Sequence, residues 1–433
     1  MGRLTTIRPA LTRARYPAGR GGRAGGRRGG DDGSVRSRRQ ALLPAALAAA
    51  LLTGCAGGDD AGAPPSSAPA PSPAASSPAP ADPAPADPAP APSTTSPVDA
   101  LAAATGLPGE PTDVVTGLDV PWGLAVLPDG TALVTLRDEA RVVRVGPGVL
   151  TAVGTEEPDG KVPGVVPGGE GGLLGIALSP GFATDGFVYL YQTTRGDNRV
   201  VRYSLAADRL TGATPVLTGI PKNSTHNGGR IAFGPDGMLY VGTGDAQDRA
   251  AAQDVNSLGG KILRVAPDGS VPAGNPFPGS RTWSYGHRNP QGFGWDAGGR
   301  LIAAEFGQDT WDELNVVRAG GNHGWPEVEG PGDGGGRFVA PVQTWTTDQA
   351  SPSGIVVTPD AVYVAALRGQ KLWRVPLNPD GSTGSPDAYL DGTLGRLRTV
   401  EVGPDGSLWV LTSNTFRGQP RAGDDRLVRV PLL

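Results

Sequence analysis

Short apolar segments of about five residues recur along the chain from about Asp113, and each one directly follows a tight turn. The turns are rich in Asp and Gly, as in Pro128-Asp129-Gly130 and Pro404-Asp405-Gly406. Apolar runs bounded by such turns are typical of β-strands. The six predicted strands of this type lie at 132–136, 187–191, 238–242, 300–304, 361–365 and 407–411.

A second short strand, which usually contains Arg, is predicted after each of these strands. The unit of turn, strand, loop and strand recurs at roughly 45–65 residues, and each unit buries both faces of its sheet only by stacking on its neighbours. Radial stacking of this kind predicts an all-β, six-bladed β-propeller. A β-sandwich, the alternative, does not explain six copies of the same turn. The second strands are predicted at 141–145, 198–203, 261–265, 312–317, 371–375 and 426–430.

The two ends of the repeated region are predicted to meet in one blade. An apolar segment, Val114–Leu118, precedes the first full unit, and the last predicted strand almost reaches Leu433. We therefore predict that Val114–Leu118 adds a strand to the final blade and closes the ring. No amphipathic helix longer than about two turns is predicted.

The first 54 residues differ from the rest of the chain. A basic region containing Arg38-Arg39 leads into an apolar run at Ala41–Leu52 and then to Leu52-Thr53-Gly54-Cys55. This arrangement resembles a bacterial lipoprotein signal with cleavage before Cys55 and a lipid on its sulfur, and the paired arginines resemble a twin-arginine export signal. The run is too short for a spanning helix, although an uncleaved apolar segment is the alternative. We expect an exported protein, lipid-anchored to the outer face of the cytoplasmic membrane.

The segment that follows Cys55 is almost wholly Ala, Pro, Ser, Asp and Gly. Such a composition cannot bury an apolar core and favours extended conformations, so it predicts a disordered tether. The predicted organisation is a signal region at 1–54, a lipidated Cys and linker at 55–100, and a propeller domain at 113–433.

Charge and cysteine content exclude some functions. The first 54 residues contain eleven Arg and two acids, so the remainder carries a net charge of about −13. An acidic body without a basic run argues against a nucleic-acid partner. Because Cys55 is the only cysteine, the chain can form neither an internal disulfide nor a Cys-based metal site.

A candidate catalytic pair flanks the predicted strand at 238–242. His226 lies on a short polar loop before this strand, and Asp245 follows it after Gly242-Thr243-Gly244. Both residues should project beyond the sheet, where loops carry chemistry. A His and an Asp on neighbouring loops can act as a base and the group that orients it. The alternative is a polar surface loop followed by a routine strand.

Further polar clusters lie outside the repeated strands and resemble a known family. The most specific motifs are EGGLLG at 170–175, GHRNPQG at 286–292 and GGNHGWP at 320–326. In order and spacing they resemble the pyrroloquinoline-quinone (PQQ)-dependent soluble glucose dehydrogenases and aldose sugar dehydrogenases of the glucose/sorbosone dehydrogenase family. The similarity covers about 113–433. It implies a six-bladed propeller that oxidises the anomeric hydroxyl of an aldose and passes electrons to an external acceptor.

The resemblance also implies roles for individual residues. His226 matches the general base and Asp245 the acid that orients it. Cofactor-binding positions are matched by Glu170, where the soluble glucose dehydrogenases carry Gln, and by Arg368, where they carry Lys. The remaining matches to positions that hold PQQ or polarise its quinone are Arg288, Asn289, Arg396 and Arg398. Arg suits the carboxylates of PQQ because it offers planar pairs of donors.

A calcium site is implied by the same resemblance. The family binds Ca²⁺ against PQQ, partly through backbone carbonyls of the loop that aligns with Gly307 and Gln308. Gln308 replaces the usual Pro, which need not change the carbonyl ligand. Oxygen ligands suit a hard cation, and the ion would act as a Lewis acid on the quinone.

Other polar residues of these clusters are predicted to be structural. We expect His287 and His323 to be structural loop residues and Trp325 and Pro326 to pack a turn. We expect Asp309–Glu313 to form a solvated loop, with support of the ligands of a metal ion as the alternative. Two functions remain as alternatives, since fold alone does not decide function. One is a sugar lactonase, whose channel gathers acidic and Asn side chains around a cation without an Arg cluster. The other is a binding or adhesion propeller that has lost its cofactor.

Overall fold

Antiparallel strands joined by tight turns make up the repeated region, as the apolar pattern predicts. The computed structural model describes residues 97–433; the predicted signal region, Cys55 and most of the predicted linker lie outside the described residues. Six four-stranded antiparallel sheets are present in this part of the chain. They form the six blades of a propeller, which confirms the predicted fold class.

The strand bounds follow the repeated unit. The first blade comprises β2 (Pro121–Val126), β3 (Ala132–Leu136), β4 (Arg141–Gly146) and β5 (Val149–Val153). The second comprises β6 (Leu173–Leu178), β7 (Phe187–Thr193), β8 (Asn198–Ala206) and β9 (Arg209–Ile220). The third comprises β10 (Ile231–Phe233), β11 (Leu239–Thr243), β12 (Lys261–Val265) and β13 (Thr282–Tyr285). The fourth comprises β14 (Pro290–Trp295), β15 (Leu301–Glu305), β16 (Trp311–Val317) and β17 (Gln343–Thr346). The fifth comprises β18 (Pro352–Val357), β19 (Ala361–Ala366), β20 (Lys371–Pro376) and β21 (Asp387–Tyr389). The sixth comprises β22 (Leu397–Val402), β23 (Leu408–Thr412), β24 (Arg426–Val430) and β1 (Thr112–Thr116).

The sixth blade joins both ends of the described chain. Strand β1 pairs antiparallel with β24, so the predicted ring closure is confirmed, with the strand two residues earlier than expected. Beyond this pair, the backbone N–H groups of Leu107 and Leu433 each donate to the other's carbonyl oxygen, at 3.1 and 2.9 Å. The closure is therefore a continuous set of hydrogen bonds between the two ends.

The core is divided among the interfaces between blades. Six clusters of buried apolar side chains are present, and each contains residues from two neighbouring blades. For example, Val188 and Leu190 of the second blade pack with Leu133 and Val142 of the first. This arrangement is the physical reason why a single unit is not stable alone.

Three short helices accompany the blades in the described residues: α1 (Pro97–Ala103), α2 (Phe182–Asp185) and α3 (Arg249–Gln253). Helix α1 begins within the range predicted as linker and precedes the predicted domain start at 113. Ala100 and the following Ala104, four residues apart on one helical face, are buried against the fifth and sixth blades. The folded domain therefore extends further towards the N-terminus than the composition indicates. None of the helices in residues 97–433 has the length and apolarity needed to cross a membrane.

Candidate active site

Two loops that flank strands of the third blade hold the candidate catalytic pair, His226 and Asp245, close together. His226 lies between β9 and β10, and Asp245 follows β11 after one residue, Gly244. The His226 Nδ1 atom lies 2.7 Å from Asp245 Oδ1. A Cβ atom at Gly244 would overlap the carbonyl oxygen of His226, so only glycine permits this approach. The structure thus brings together the two residues predicted as base and orienter.

Asp245 is buried and fully hydrogen-bonded. Its Oδ2 atom accepts a hydrogen bond from Trp325 Nε1 at 2.9 Å, and its Oδ1 atom accepts one from the backbone N–H of Gln247 at 2.8 Å. Burial raises the pKa of Asp245, but the hydrogen bonds and the neighbouring His226 outweigh burial and hold the pKa below its ordinary value. Asp245 is therefore a carboxylate at neutral pH.

The other ring nitrogen of His226 faces Arg288. Arg288 Nη2 lies 2.9 Å from His226 Nε2. A guanidinium can only donate, so Nε2 must be the acceptor and the proton must sit on Nδ1, where it is donated to Asp245. This tautomer is the one in which the Nε2 lone pair of His226 is directed into the cavity.

Arg288 is fixed by the loop between β15 and β16. Its Nε and Nη2 atoms donate to Gln308 Oε1 at 3.1 and 2.8 Å, and its Nη1 atom donates to the carbonyl of Phe306 at 3.2 Å. The backbone N–H of Arg288 donates to the Glu305 carboxylate. Burial lowers the pKa of Arg288, although nearby carboxylates oppose this. The guanidinium is thus held in one orientation beside the base.

The cavity around this pair is strongly cationic. The described residues that line it include five arginines and one carboxylate, Glu170; the arginines are Arg137, Arg288, Arg396, Arg398 and Arg417. The Nε atoms of Arg396 and Arg398 are buried without a hydrogen-bond partner among residues 97–433. Burial and neighbouring guanidinium groups hold the pKa of Arg398 well below its ordinary value. Such a cluster favours an anionic ligand that would satisfy the donors and offset the charge.

Asn289 and Arg398 also organise the walls of the cavity. Asn289 Oδ1 accepts a hydrogen bond from the backbone N–H of Gly228 at 3.0 Å, which fixes the loop that carries His226. Arg398 Nη1 donates to Gln291 Oε1 at 3.0 Å and to Ser353 Oγ at 3.2 Å. Three blades are therefore connected at the base of the cavity.

Glu170 contacts the loop that carries His226 and the loop between β23 and β24 of the sixth blade. Its Oε2 atom accepts from the backbone N–H of His226 at 3.1 Å, and its Oε1 atom accepts from Arg417 Nη1 at 2.7 Å. The ion pair explains how a carboxylate is tolerated at this position among arginines. Glu170 thus lies in the cavity, at the place where the sequence predicts a cofactor-binding residue.

Arg368 is not brought into this cavity. Its neighbour Leu367 lines the cavity, whereas the Arg368 side chain is exposed and lies near Asp348. The other predicted site residues lie in the cavity wall or, like Asp245 and Gln308, contact a residue that does.

The loop predicted to bind a cation has two free carbonyl groups. Gly307 lines the cavity, and the carbonyl oxygens of Gly307 and Gln308 accept no hydrogen bond from the described residues. Carbonyl oxygens are suitable ligands for Ca²⁺, so the donor set fits this ion. Within residues 97–433 no group of three or more His, Cys, Asp or Glu side chains is placed to hold a metal.

Sequence reasoning missed several residues of the site. Trp325, predicted only to pack a turn, donates to the buried oxygen of Asp245. Phe416 and Arg417 come from the loop between β23 and β24, and the Arg137 guanidinium carbon lies 3.8 Å from the centre of the Phe416 ring. The GGNHGWP and GHRNPQG motifs offered a signal for Trp325 and for Gln291. No pattern marks Phe416 or Arg417.

The remaining polar residues lie behind the site. His287 and His323 are buried, and their rings are stacked with the ring centres 4.6 Å apart, consistent with a structural role. Burial lowers the pKa of His287 to about 3. The expectation of a solvated loop at 309–313 is wrong for Asp312 and Glu313. Strand β16 begins at Trp311, and both side chains are buried, where they accept backbone hydrogen bonds.

Comparison with known proteins finds similarity over most of the described residues. Residues 118–419 match the family described as Glucose / Sorbosone dehydrogenase. The chain is 34% identical over 334 residues to the aldose sugar dehydrogenase YliI of Escherichia coli K12, covering 69% of this chain and 88% of that protein. A solved structure, the PQQ-bound form of aldose sugar dehydrogenase from Streptomyces coelicolor, is 52% identical with a TM-score of 0.72, covering 76% of this chain and 99% of that one. The quinoprotein glucose dehydrogenase B of Acinetobacter calcoaceticus is 30% identical over 263 residues, 52% of this chain and 54% of that protein.

The fold, the site and these similarities define an oxidoreductase of the sugar dehydrogenase class, built on a six-bladed propeller. The chain belongs to the glucose/sorbosone dehydrogenase family.

Proposed function

We propose that the protein oxidises the anomeric hydroxyl of an aldose to the lactone in a PQQ- and Ca²⁺-dependent reaction and passes the electrons to an external acceptor. The observation that carries this proposal is the hydrogen-bonded row Asp245–His226–Arg288 at the wall of a cavity lined by five arginines. It combines a base of defined tautomer with a binding place for an anionic cofactor.

The protein's part in the reaction begins with proton removal. His226 Nε2 would accept the proton of the anomeric hydroxyl, and Asp245 would stabilise the resulting imidazolium through Nδ1. The anomeric carbon then gives up hydride as its C–O bond becomes the lactone carbonyl. PQQ, when bound, supplies the electron-poor quinone that accepts this hydride. Arg288 must give up Nε2 to the substrate hydroxyl, and its guanidinium would remain beside the reacting oxygen atoms.

The arginines suit the three carboxylates of PQQ. Arg396 and Arg398 each have a buried Nε–H group without a partner, and their charges repel one another in the absence of an anion. Binding of carboxylates would satisfy these donors and relieve the repulsion. PQQ in the Streptomyces coelicolor relative supports the same cofactor here. The free carbonyls of Gly307 and Gln308 would hold Ca²⁺, which offsets the negative charge of the cofactor.

The arrangement disfavours the lactonase alternative. That function calls for acidic and Asn side chains gathered around a cation, whereas Glu170 is the one carboxylate among the described residues that line the cavity. Glu170 is already paired with Arg417. The cationic cavity therefore fits an anionic cofactor better than a cation held by side chains.

The test is a titration of cofactor-free protein with PQQ in excess Ca²⁺, followed by the quinone absorbance. A panel of aldoses is then added with an artificial electron acceptor. We expect saturable binding and sugar-dependent reduction of the dye, with the lactone identified by mass spectrometry. Absence of PQQ binding would refute the proposal. A double variant, Arg396→Gln with Arg398→Gln, should bind PQQ at least about tenfold more weakly, because two charge-assisted contacts are lost.

We further propose that the protein is exported and anchored by a lipid on Cys55 to the outer face of the cytoplasmic membrane. The basic region, the apolar run and the Leu-Thr-Gly-Cys sequence at 52–55 support this proposal. The test is membrane fractionation with mass spectrometry of the mature N-terminus. The Cys55→Ala variant should lose the lipid and leave the membrane fraction; retention of that variant in the membrane would refute the anchor.

A further inference from the structure

One carboxylate oxygen accepts hydrogen bonds from four consecutive backbone N–H groups of the proposed cation-binding loop and the strand that follows it. Glu329 Oε1 accepts hydrogen bonds from the N–H groups of Gln308, Asp309, Thr310 and Trp311, at 3.0, 3.2, 2.9 and 2.9 Å. Glu329 lies on the segment that follows the Trp325-Pro326 turn, about 20 residues further along the chain. A side chain from outside the loop therefore determines the loop's backbone conformation.

These hydrogen bonds also determine where the loop's carbonyl groups point. In a trans peptide unit the C=O and N–H bonds are antiparallel. The N–H of Gln308 shares its peptide plane with the carbonyl of Gly307, and the N–H of Asp309 shares its plane with the carbonyl of Gln308. Because both N–H groups point at Glu329, both carbonyls must point away from it. These are the two carbonyls that accept no hydrogen bond from the described residues.

The start of the loop is held in a second way. The backbone N–H of Gly307 donates to Asp312 Oδ1 at 2.9 Å, while Asp312 Oδ2 accepts from the backbone N–H of Ser351. A Cβ atom at Gly307 would overlap the carbonyl oxygen of Trp311, so the loop closes tightly on itself. Five successive N–H groups thus converge on two carboxylates, and the carbonyls are left for another partner.

We infer that Glu329 is a positioning residue for the cation: it holds the carbonyls of Gly307 and Gln308 in the orientation that a hard cation requires. This inference rests on the proposed function, which places Ca²⁺ on these carbonyls. Free carbonyls on a mobile loop would have to be ordered when the ion binds, and that ordering would weaken binding. Glu329 supplies the order beforehand, and its negative charge favours a cation on the opposite side of the same peptide units.

The same anchoring extends to the catalytic pair. Gln308 and Phe306 bind Arg288, which in turn contacts His226. A loop released from Glu329 would therefore loosen both the cation ligands and the guanidinium beside the base. Partners of this type that orient metal ligands typically change metal affinity by about 10- to 100-fold when they are removed.

The experiment is calorimetric titration of the cofactor-free, full-length protein with Ca²⁺ alone. The variants are Glu329→Ala, which removes the acceptor, and Glu329→Gln, which keeps the shape and one acceptor oxygen but loses the charge. The matched control is Glu327→Ala, because Glu327 lies two residues away on the same segment and is exposed, with only a surface ion pair to Arg337. We expect the Ca²⁺ dissociation constant to rise at least about tenfold in E329A, to take an intermediate value in E329Q, and to be unchanged in E327A.

A second readout separates positioning from general stability. The rise in the melting temperature on adding a fixed Ca²⁺ concentration should shrink in E329A and remain at the wild-type value in E327A. A purely structural Glu329 would lower the melting temperature equally with and without Ca²⁺. Folded E329A and E329Q proteins with the wild-type Ca²⁺ dissociation constant would overturn the inference and leave the proposed function standing. A wild-type protein that binds no Ca²⁺ would overturn the proposed metal site and this inference together.

Discussion

Arg288 Nη2 lies 2.9 Å from His226 Nε2, on the opposite side of the imidazole from Asp245. The ring is therefore held at both nitrogens, with a carboxylate accepting from Nδ1 and a guanidinium donating to Nε2. In this contact Nε2 is the acceptor, because a guanidinium can only donate, so the ring proton lies on Nδ1. In the proposed reaction, the substrate hydroxyl would compete with Arg288 for the same lone pair.

Replacing the base should separate chemistry from cofactor binding. In His226→Ala we expect turnover to fall by a factor of about 10² or more, as for loss of a general base. PQQ binding should be nearly unchanged, because the arginines that would hold it are intact. Steady-state dye reduction and a PQQ titration check the two parts. Turnover at the wild-type level would show that His226 is not the base, whereas partial rescue by added imidazole would support the role.

The orienting carboxylate can be tested by a change of one atom. Asp245→Asn removes the negative charge, and an amide NH2 turned towards Nδ1 of His226 would favour the tautomer with its proton on Nε2. We expect the turnover number to fall about 10²-fold or more, because that tautomer cannot accept the substrate proton at Nε2. The control is Asp248→Asn, an exposed aspartate three residues along the same loop. Equal activities of the two variants would contradict the assigned role.

A buried lysine stabilises the third blade behind the site. Lys261 Nζ donates to the carbonyls of Ala251, Ala252 and Gly259 at 2.7, 3.1 and 2.6 Å, and burial lowers its pKa to about 8. In Lys261→Met these carbonyls lose their donor, so the free energy of unfolding should fall by about 3 kcal/mol or more. Urea denaturation checks this.

The control for this change is Lys161→Met. Lys161 is exposed and forms a surface pair with Asp159, so its removal should change the free energy of unfolding by less than about 0.5 kcal/mol. A similar loss of stability in both variants would show that the three hydrogen bonds of Lys261 to carbonyls do not account for the change in the free energy of unfolding.

Glu401 should make stability depend on pH. Burial raises its pKa to about 7, and Arg230 opposes this only in part. The folded-state pKa lies above the ordinary value of 4.5, so Glu401 binds its proton more tightly in the folded state. Its contribution to stability is therefore complete below about pH 4.5 and is lost as the pH rises through 7.

The variant Glu401→Gln removes this titration. Its melting temperature relative to the wild type should rise from pH 5 to about pH 7 and then level off, as measured by calorimetry in matched buffers. Glu157→Gln, on an exposed turn, should show a constant difference over the same range. A constant difference for E401Q would refute the assignment of the titration to Glu401.

The sequence predicts the strands better than the loops because a strand is indicated by a local feature, a short apolar run bounded by turns. The predicted bounds 132–136, 261–265 and 426–430 agree with β3, β12 and β24 at both ends, since each is bounded by a turn or a loop. Helix α1 was missed because its burial depends on two small residues, Ala100 and Ala104, that meet the fifth and sixth blades. Nothing in the local composition indicates that contact.

Site residues that lie in sequence motifs could be predicted, whereas site residues that the overall topology places could not. His226, Asp245 and Arg288 lie in motifs, and the structure brings them together. Phe416 and Arg417 reach the cavity because the closed ring brings the sixth blade next to the first. Arg417 then contacts Glu170, on the loop between β5 and β6, across 247 positions of sequence. Such a contact follows from the whole topology. Asp312 was misjudged because its charge indicates exposure, whereas two backbone N–H groups compensate for its burial.

Because β1 pairs with β24, the ring can close only after β24 has been made. Strand β1 is made first but has no partner until Arg426–Val430 has been made. Until then one edge of the sixth blade is open, and the interface between the sixth and first blades lacks Leu427, a member of its apolar cluster. A chain that stops short of Arg426 would therefore expose an unpaired strand edge, a recognised starting point for aggregation. We expect the nascent protein to depend on chaperones until its last strand is released, because closure over so long a separation is intrinsically slow.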